Sequence, residues 1–255
     1  MSKIVSFGDS FIFGYEIPEN FDGSAGWPSV AAKQLGIEFV NKSSPGSSNQ
    51  SILRRILNYY SVKENFNDLA VINWTWSHRW AYFVNQKNCN TWINFGPAIN
   101  DLPFYKNQEF ENIDWQLQEV KDDIKKRIRK IDVKFQKQLE SMYIEYISDN
   151  ELLNKFNSLQ SIYCAIAFLL NKNIKFVQTN MDAEILEKQW FCDGYVDVLQ
   201  NLIEPYLSSF DNKNFLDWSR EKGFQVTEPG WHPLEDAHEA AAEYWLPTYK
   251  KLLNV

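Results

Sequence analysis

The sequence predicts an α/β fold: a three-layer α/β/α sandwich whose central parallel sheet is covered by helices on both faces. Three observations predict it. Residues 3–7 (KIVSF) and later runs like it are short and apolar without alternation, as strands buried on both faces are. Stretches with apolar residues at helical spacing separate these runs, and strand–helix alternation builds parallel sheets. A chain of 255 residues, 44% of them hydrophobic, also has material for one sizeable core. No repeat or linker divides it. Residues 1–255 are therefore read as a single domain, with a helical and aromatic insertion or lid at 80–150.

The elements follow in order. The first strand ends at Gly8-Asp9-Ser10. Gly26-Trp27-Pro28 opens a helix with Val30, Ala31 and Leu35 on one face, and Gly36 is its stop. Residues 37–41 make a second strand, and SSPGSSN at 43–49 is a turn-rich loop. Ile52, Leu53, Ile56 and Leu57 mark the next helix, and DLAVINWT at 68–75 the third strand. An irregular aromatic stretch runs from roughly 76 to 112, with Trp76, Trp80, Trp92, Phe95, Phe104 and Tyr105. Two long helices cover 111–147 and 150–170, and IKFVQT at 174–179 is the fourth strand. Residues 183–223 read as interrupted helix. Pro233 opens a final helix with Leu234, Ala237, Ala241, Trp245 and Leu252 facing inward.

Composition excludes several functions. The net charge of −7 argues against a nucleic-acid partner. The basic run Lys121–Lys130 is interleaved with Asp122, Asp123 and Asp132, as on a solvated helix face. Cys89, Cys164 and Cys192 are widely spaced with no CxxC pair, so neither a zinc site nor a redox motif is expected. No P-loop spacing occurs. No signal peptide and no apolar span of membrane length is visible, so a cytoplasmic location, or release by another route, is expected, with no membrane partner.

Gly8-Asp9-Ser10 lies at the carboxyl end of the first strand, where open α/β sheets place their sites. The same three residues also favour a simple turn. A serine hydroxyl needs a base to take its proton, and the chain has three histidines: His78, His232 and His238. His232, in Gly230-Trp231-His232-Pro233, precedes the final helix, and its loop can return to the sheet mouth. His238 lies within that helix and is read as a packing or capping residue. His78 follows the third strand and falls near the same mouth.

These residues resemble the blocks of SGNH (GDSL-like) hydrolases. Gly8-Asp9-Ser10-Phe11-Ile12-Phe13-Gly14 matches a GDSxxxG first block. Gly46 is similar to the glycine of the second block, and His232-Pro233 with His238 is similar to the last. The resemblance spans residue 4 to about 246. It implies an SGNH/flavodoxin-like sheet, no cofactor and no metal. It also implies an ester substrate, small molecule or polysaccharide, that is cleaved through an acyl-enzyme. Ser10 is then the nucleophile and His232 the base. The backbone N–H groups of Ser10 and Gly46 hold the oxyanion.

Two departures stand out. The family's third block carries an asparagine where this chain has Thr75-Trp76-Ser77-His78. Ser77 stands in for it as a third oxyanion donor, since Asn73 falls inside the strand. The family's aspartate, three residues before the histidine, is Pro229 here. Glu228 is then the acid, unless the site is a Ser–His dyad. Asp9, Trp76 and Trp231 are placed among the substrate-binding residues, although core and rim packing is the alternative for the tryptophans. Two functions remain open: an esterase, with carbohydrate deacetylation as one form, or a non-catalytic module that keeps the fold.

Overall fold

The computed structural model describes all residues except 1, 21, 63–66, 87–88, 96–132, 148, 189–193 and 229–230. The four apolar runs become β1 (Lys3–Phe7), β2 (Glu38–Asn41), β3 (Asp68–Trp74) and β6 (Lys175–Asn180). They form one sheet in the order β2-β1-β3-β6, parallel throughout. β1 is thus internal, with Ile4 beside Phe39 on one side and Leu69 on the other.

Successive strand residues point to opposite faces, and the two halves of the core show it. Ile4, Leu69, Val71 and Val177 pack against Trp27 and Ala31 of α2 (Trp27–Leu35). The same cluster holds Ala237, Ala241 and Tyr249 of the C-terminal helix α8 (Glu235–Leu253) and Phe215 of α7 (Phe215–Glu221). Val5, Phe7, Ala70 and Ile72 point the other way. They meet Ile52 and Ile56 of α3 (Asn49–Ser61), Ile162 and Ile166 of α5 (Glu151–Asn171), and Val196 of α6 (Gly194–Ile203). This is the expected three-layer sandwich. Burying each such aliphatic side chain contributes about 1.5–3 kcal/mol. β1 therefore contributes to both halves of the core, Ile4 to one and Val5 and Phe7 to the other.

The aromatic stretch corrects the reading of that segment as irregular. Trp80–Gln86 (β4) and Cys89–Phe95 (β5) pair antiparallel as a separate two-stranded sheet. Asparagines break the aromatic pattern there, so composition alone hides the strands. Helix α4 (Val133–Tyr146) brings Leu139 and Tyr143 onto Trp80 and Tyr82 in a small satellite core. Phe104, Tyr105, the basic run at 121–130 and the helix expected over 111–132 lie outside the described residues. Among the described residues, no helix is long and apolar enough to cross a membrane.

From β1 the chain passes through the short α1 (Ser10–Phe13) and α2 on one face to reach β2. It then returns through α3 on the other face to β3. The crossovers part at the carboxyl ends of β1 and β3. That topological switch point is where ligands bind in sheets of this kind.

Candidate active site

The site begins with a glycine. A Cβ at Gly8 would lie 2.7 Å from the backbone oxygen of Asn73, so only glycine lets β1 turn this close to β3. Asp9 follows as the N-cap of α1. One carboxylate oxygen accepts from Phe11 N (3.0 Å); the other accepts from Thr75 Oγ1 (2.8 Å) and Arg79 Nη1 (3.2 Å). Asp9 is wholly buried and spent on protein partners. This corrects its expected role in substrate binding: it fixes the turn that presents Ser10. Ser10 is the first residue of α1, and it is 4% exposed. The helix ends at Gly14, whose φ of 74° is left-handed, with its N–H donated to Ser10 O. Asn20 locks this end by donating to Phe13 O (2.9 Å) and Gly14 O (2.7 Å).

Two residues past Gly14, Glu16 also adopts a left-handed backbone, with φ 68°. Its Oε2 lies 3.0 Å from His232 Nδ1 and accepts the hydroxyl of Thr227. Thr227 Oγ1 in turn accepts the backbone N–H of His232 (3.0 Å), and Thr227 N donates to His232 O (2.9 Å). Bonding to His232 holds the Glu16 carboxyl below its usual pKa against the opposing effect of burial, and the Thr227 hydroxyl adds to it. The imidazole sits between two rings of the nucleophile segment, with centroids 4.7 Å from Phe11 and 5.2 Å from Tyr15. Ser10 and His232 are thus brought to one corner of the sheet. Among the described residues Ser10 Oγ has no hydrogen-bond partner, so the two are neighbours rather than bonded.

The carboxylate that meets the imidazole is that of Glu16, where Glu228 was expected. Val226 and Pro233 pair as an antiparallel bridge, and Thr227 N donates to His232 O just inside it. Glu228 is exposed. No periodicity could have singled out Glu16. The only available signal was a carboxylate on the same loop as the nucleophile.

The second loop carries Pro45-Gly46. Ser47 N donates to Ser44 O (3.3 Å) and Gly46 has φ 73°, as in a type II turn with glycine third. Ser44 N (3.1 Å) and Arg55 Nη2 (3.0 Å) both donate to Gly8 O, tying this loop to the nucleophile turn. Burial and then the neighbouring Arg54 push the Arg55 guanidinium down to about 10. The N–H groups of Ser10 and Gly46 donate to no other described residue.

In the third loop, Ser77 is held through its backbone, by Asp182 Oδ2 on its N–H (2.9 Å) and Ser158 Oγ on its carbonyl (3.4 Å). Asn73 is buried, bonded to Thr179 (2.8 Å) and facing Asp9 (3.5 Å). Trp76 is largely enclosed: Phe11 meets it edge-on, His78 stacks on it, and the Arg79 guanidinium lies 5.0 Å from its centre. Trp231 is the opposite, 56% exposed beside His232, with Arg220 over its ring at 5.3 Å. His238 is buried and accepts Trp27 N–H at Nδ1 (3.1 Å), capping α2 as a neutral imidazole. No group of His, Cys, Asp and Glu among the described residues could hold a metal ion.

A parallel sheet with helices on both faces, a serine on the first turn after β1 and a carboxylate-bound histidine near it set out the fold class and the candidate site. The model of the GDSL-like Lipase/Acylhydrolase family matches residues 4–245, and the chain belongs to that family of hydrolases acting on ester bonds. No curated protein matches it. Among solved structures it is similar to a member of the lipolytic protein G-D-S-L family from Veillonella parvula, at 14% identity, covering 98% of this chain and 100% of that one, with a TM-score of 0.48. The psychrotrophic esterase EstA of Pseudoalteromonas sp. matches at 12% identity over 99% of both chains, with a TM-score of 0.44. A family two carbohydrate esterase from Clostridium thermocellum, in complex with cellohexaose, matches at 12% identity over 99% of this chain and 64% of that one, with a TM-score of 0.42.

Proposed function

We propose that the chain is a serine esterase. Ser10 Oγ attacks the ester carbonyl carbon while His232 takes its proton and passes it to the leaving alcohol, leaving an acyl-Ser10 enzyme. Water, deprotonated by His232, then attacks the acyl carbon and releases the acid and the free serine. The oxyanion is held by the N–H groups of Ser10 and Gly46, with Ser77 as a third donor. The observation that carries this reading is the seat of the His232 ring against Phe11, the residue after Ser10, at the switch point of the sheet. Esters of carbohydrates, acetyl esters first, are the substrates proposed. The exposed ring of Trp231, next to the base, is a flat surface on which a sugar face can lie.

The test is covalent labelling by a fluorophosphonate together with turnover of p-nitrophenyl acetate and of acetylated xylo-oligosaccharides. Wild-type protein should label and turn over. Ser10→Ala should do neither, losing on the order of 10⁴ or more in kcat. A folded wild type that neither labels nor turns over is instead a binding module on this fold.

A further inference from the structure

We infer that Glu16 is the positioning acid of this site, recruited from the nucleophile's own loop in place of the aspartate that the family carries ahead of its histidine. This rests on the reading of Ser10 and His232 as nucleophile and base.

The geometry is specific. One oxygen, Glu16 Oε2, meets both His232 Nδ1, at 3.0 Å, and the Thr227 hydroxyl. The same hydroxyl accepts the backbone N–H of His232. Ring, backbone, hydroxyl and carboxylate thus close a loop of hydrogen bonds around one imidazole edge. An ionised carboxylate only accepts, so the proton on that edge belongs to Nδ1. In the neutral ring Nε2 then carries no proton, the state a base needs in order to take the proton of Ser10. The low pKa of the Glu16 carboxyl fits the ionised form.

The contact also has the marks of a built feature. Glu16 and Trp231, one on each side of it, both hold left-handed backbones that non-glycine residues seldom adopt, with φ 68° and 57°. Such strain persists only where the surroundings over-determine it, and here the Asn20 clamp and the Thr227–His232 pairing do so. The family position itself is closed to an acid: Pro229 stands there, and Glu228 is exposed. The consequence is an unusual division of parts. Nucleophile and acid share one short segment, Ser10–Glu16, whose spacing α1 fixes. The base enters from the far end of the chain, bonded to Glu16 and lying against the rings of Phe11 and Tyr15.

The test compares wild type, Glu16→Gln, Glu16→Asp and Thr227→Val, each confirmed as folded by circular dichroism. Turnover of p-nitrophenyl acetate is measured for each, with nitrogen-15 NMR of the His232 ring in wild type and Glu16→Gln. Glu16→Gln should lower kcat more than tenfold while KM stays within about twofold, since the group touches no substrate. Glu16→Asp should recover part of the loss, and Thr227→Val should fall between. The neutral ring should be the Nδ1–H tautomer in wild type and a mixture in Glu16→Gln. A folded Glu16→Gln enzyme with wild-type kcat, or a wild-type ring that is chiefly Nε2–H, overturns the assignment. A wild type without turnover or labelling fails at the earlier step, because it removes the nucleophile–base reading itself.

Discussion

Asp9 shows how much a single side chain can be asked to hold. It is fully buried, yet it caps α1, bonds Thr75 at the end of β3 and neutralises Arg79. Arg79 is itself largely buried, so loss of the charge on Asp9 would strand a cation away from water. Asp9→Asn should therefore cost about 3 kcal/mol of stability, as breaking one partner of a buried pair does. Urea denaturation would show it as a lower midpoint at unchanged slope. The GDS tripeptide was legible as a motif, but the division of labour within it was not. Aspartate and serine are both turn formers, and only the position of Arg79 on the third loop tells which one is consumed by the fold.

Among the elements, α3 has the most connected end. Ser48 caps it by accepting from Ser51 N (3.3 Å). Asn49 exchanges two bonds with the backbone of Thr75, accepting at 2.8 Å and donating at 3.0 Å, and donates to Ser158 of α5. Asn94 of β5 accepts from Ser48 Oγ (3.2 Å) and Ser51 Oγ (2.7 Å), which docks the hairpin on the same helix end. Asn49→Ala would leave a buried N–H and a buried carbonyl of Thr75 unpaired. A loss of about 1–3 kcal/mol in thermal or urea unfolding is expected. Asn49→Asp, which can still accept from Thr75 N, should lose less only if its charge finds a partner. In the sequence, SSPGSSN reads as a turn-rich loop around Gly46. That Asn49 welds the loop to Thr75, just past β3, depends on a residue 26 positions away, which no local pattern reports.

Across the whole molecule, the two ends of the chain close on each other. Helix α8 packs on α2, and His238 of α8 accepts the N–H of Trp27 at the start of α2. Burial, and then the nearby His232, push the His238 imidazole down to about 3. An ordinary histidine in the unfolded chain titrates at about 6.5. Between these values the unfolded chain binds a proton that the folded one refuses. The contribution of His238 is therefore fully present above about pH 6.5 and is lost as pH falls below it, by up to about 1.4 kcal/mol per pH unit. His78, lowered by burial and by Arg79, adds a slope of the same sign. Urea midpoints taken from pH 7 to pH 5, where most carboxylates remain ionised, should fall steadily. His238→Gln, which keeps an acceptor for Trp27 N–H without titrating, should flatten the curve. A wild-type curve that is flat over that range would contradict a neutral, buried His238.

The sequence by itself determined the layers of this protein and singled out its candidate nucleophile, Ser10. Continuous apolar runs and helical patterns report burial, and burial is decided by each residue's own chemistry against water. Ile4, Leu69 and Ala237 had to face a core whichever neighbours they met. The GDS block, the glycine turn at Gly46 and the His232-Pro233 pair were likewise local, since each is a short stretch whose backbone conformation its own residues favour. Only the tertiary structure decided which carboxylate serves the histidine, and that the aromatic stretch after β3 folds as a hairpin. A carboxylate at Glu16 and an imidazole at His232 lie 216 positions apart. Their meeting depends on the pairing of Val226 with Pro233 and on the left-handed backbone at Glu16. Those are properties of the assembled chain, where many weak local preferences are overruled by packing, and no segment read alone contains them.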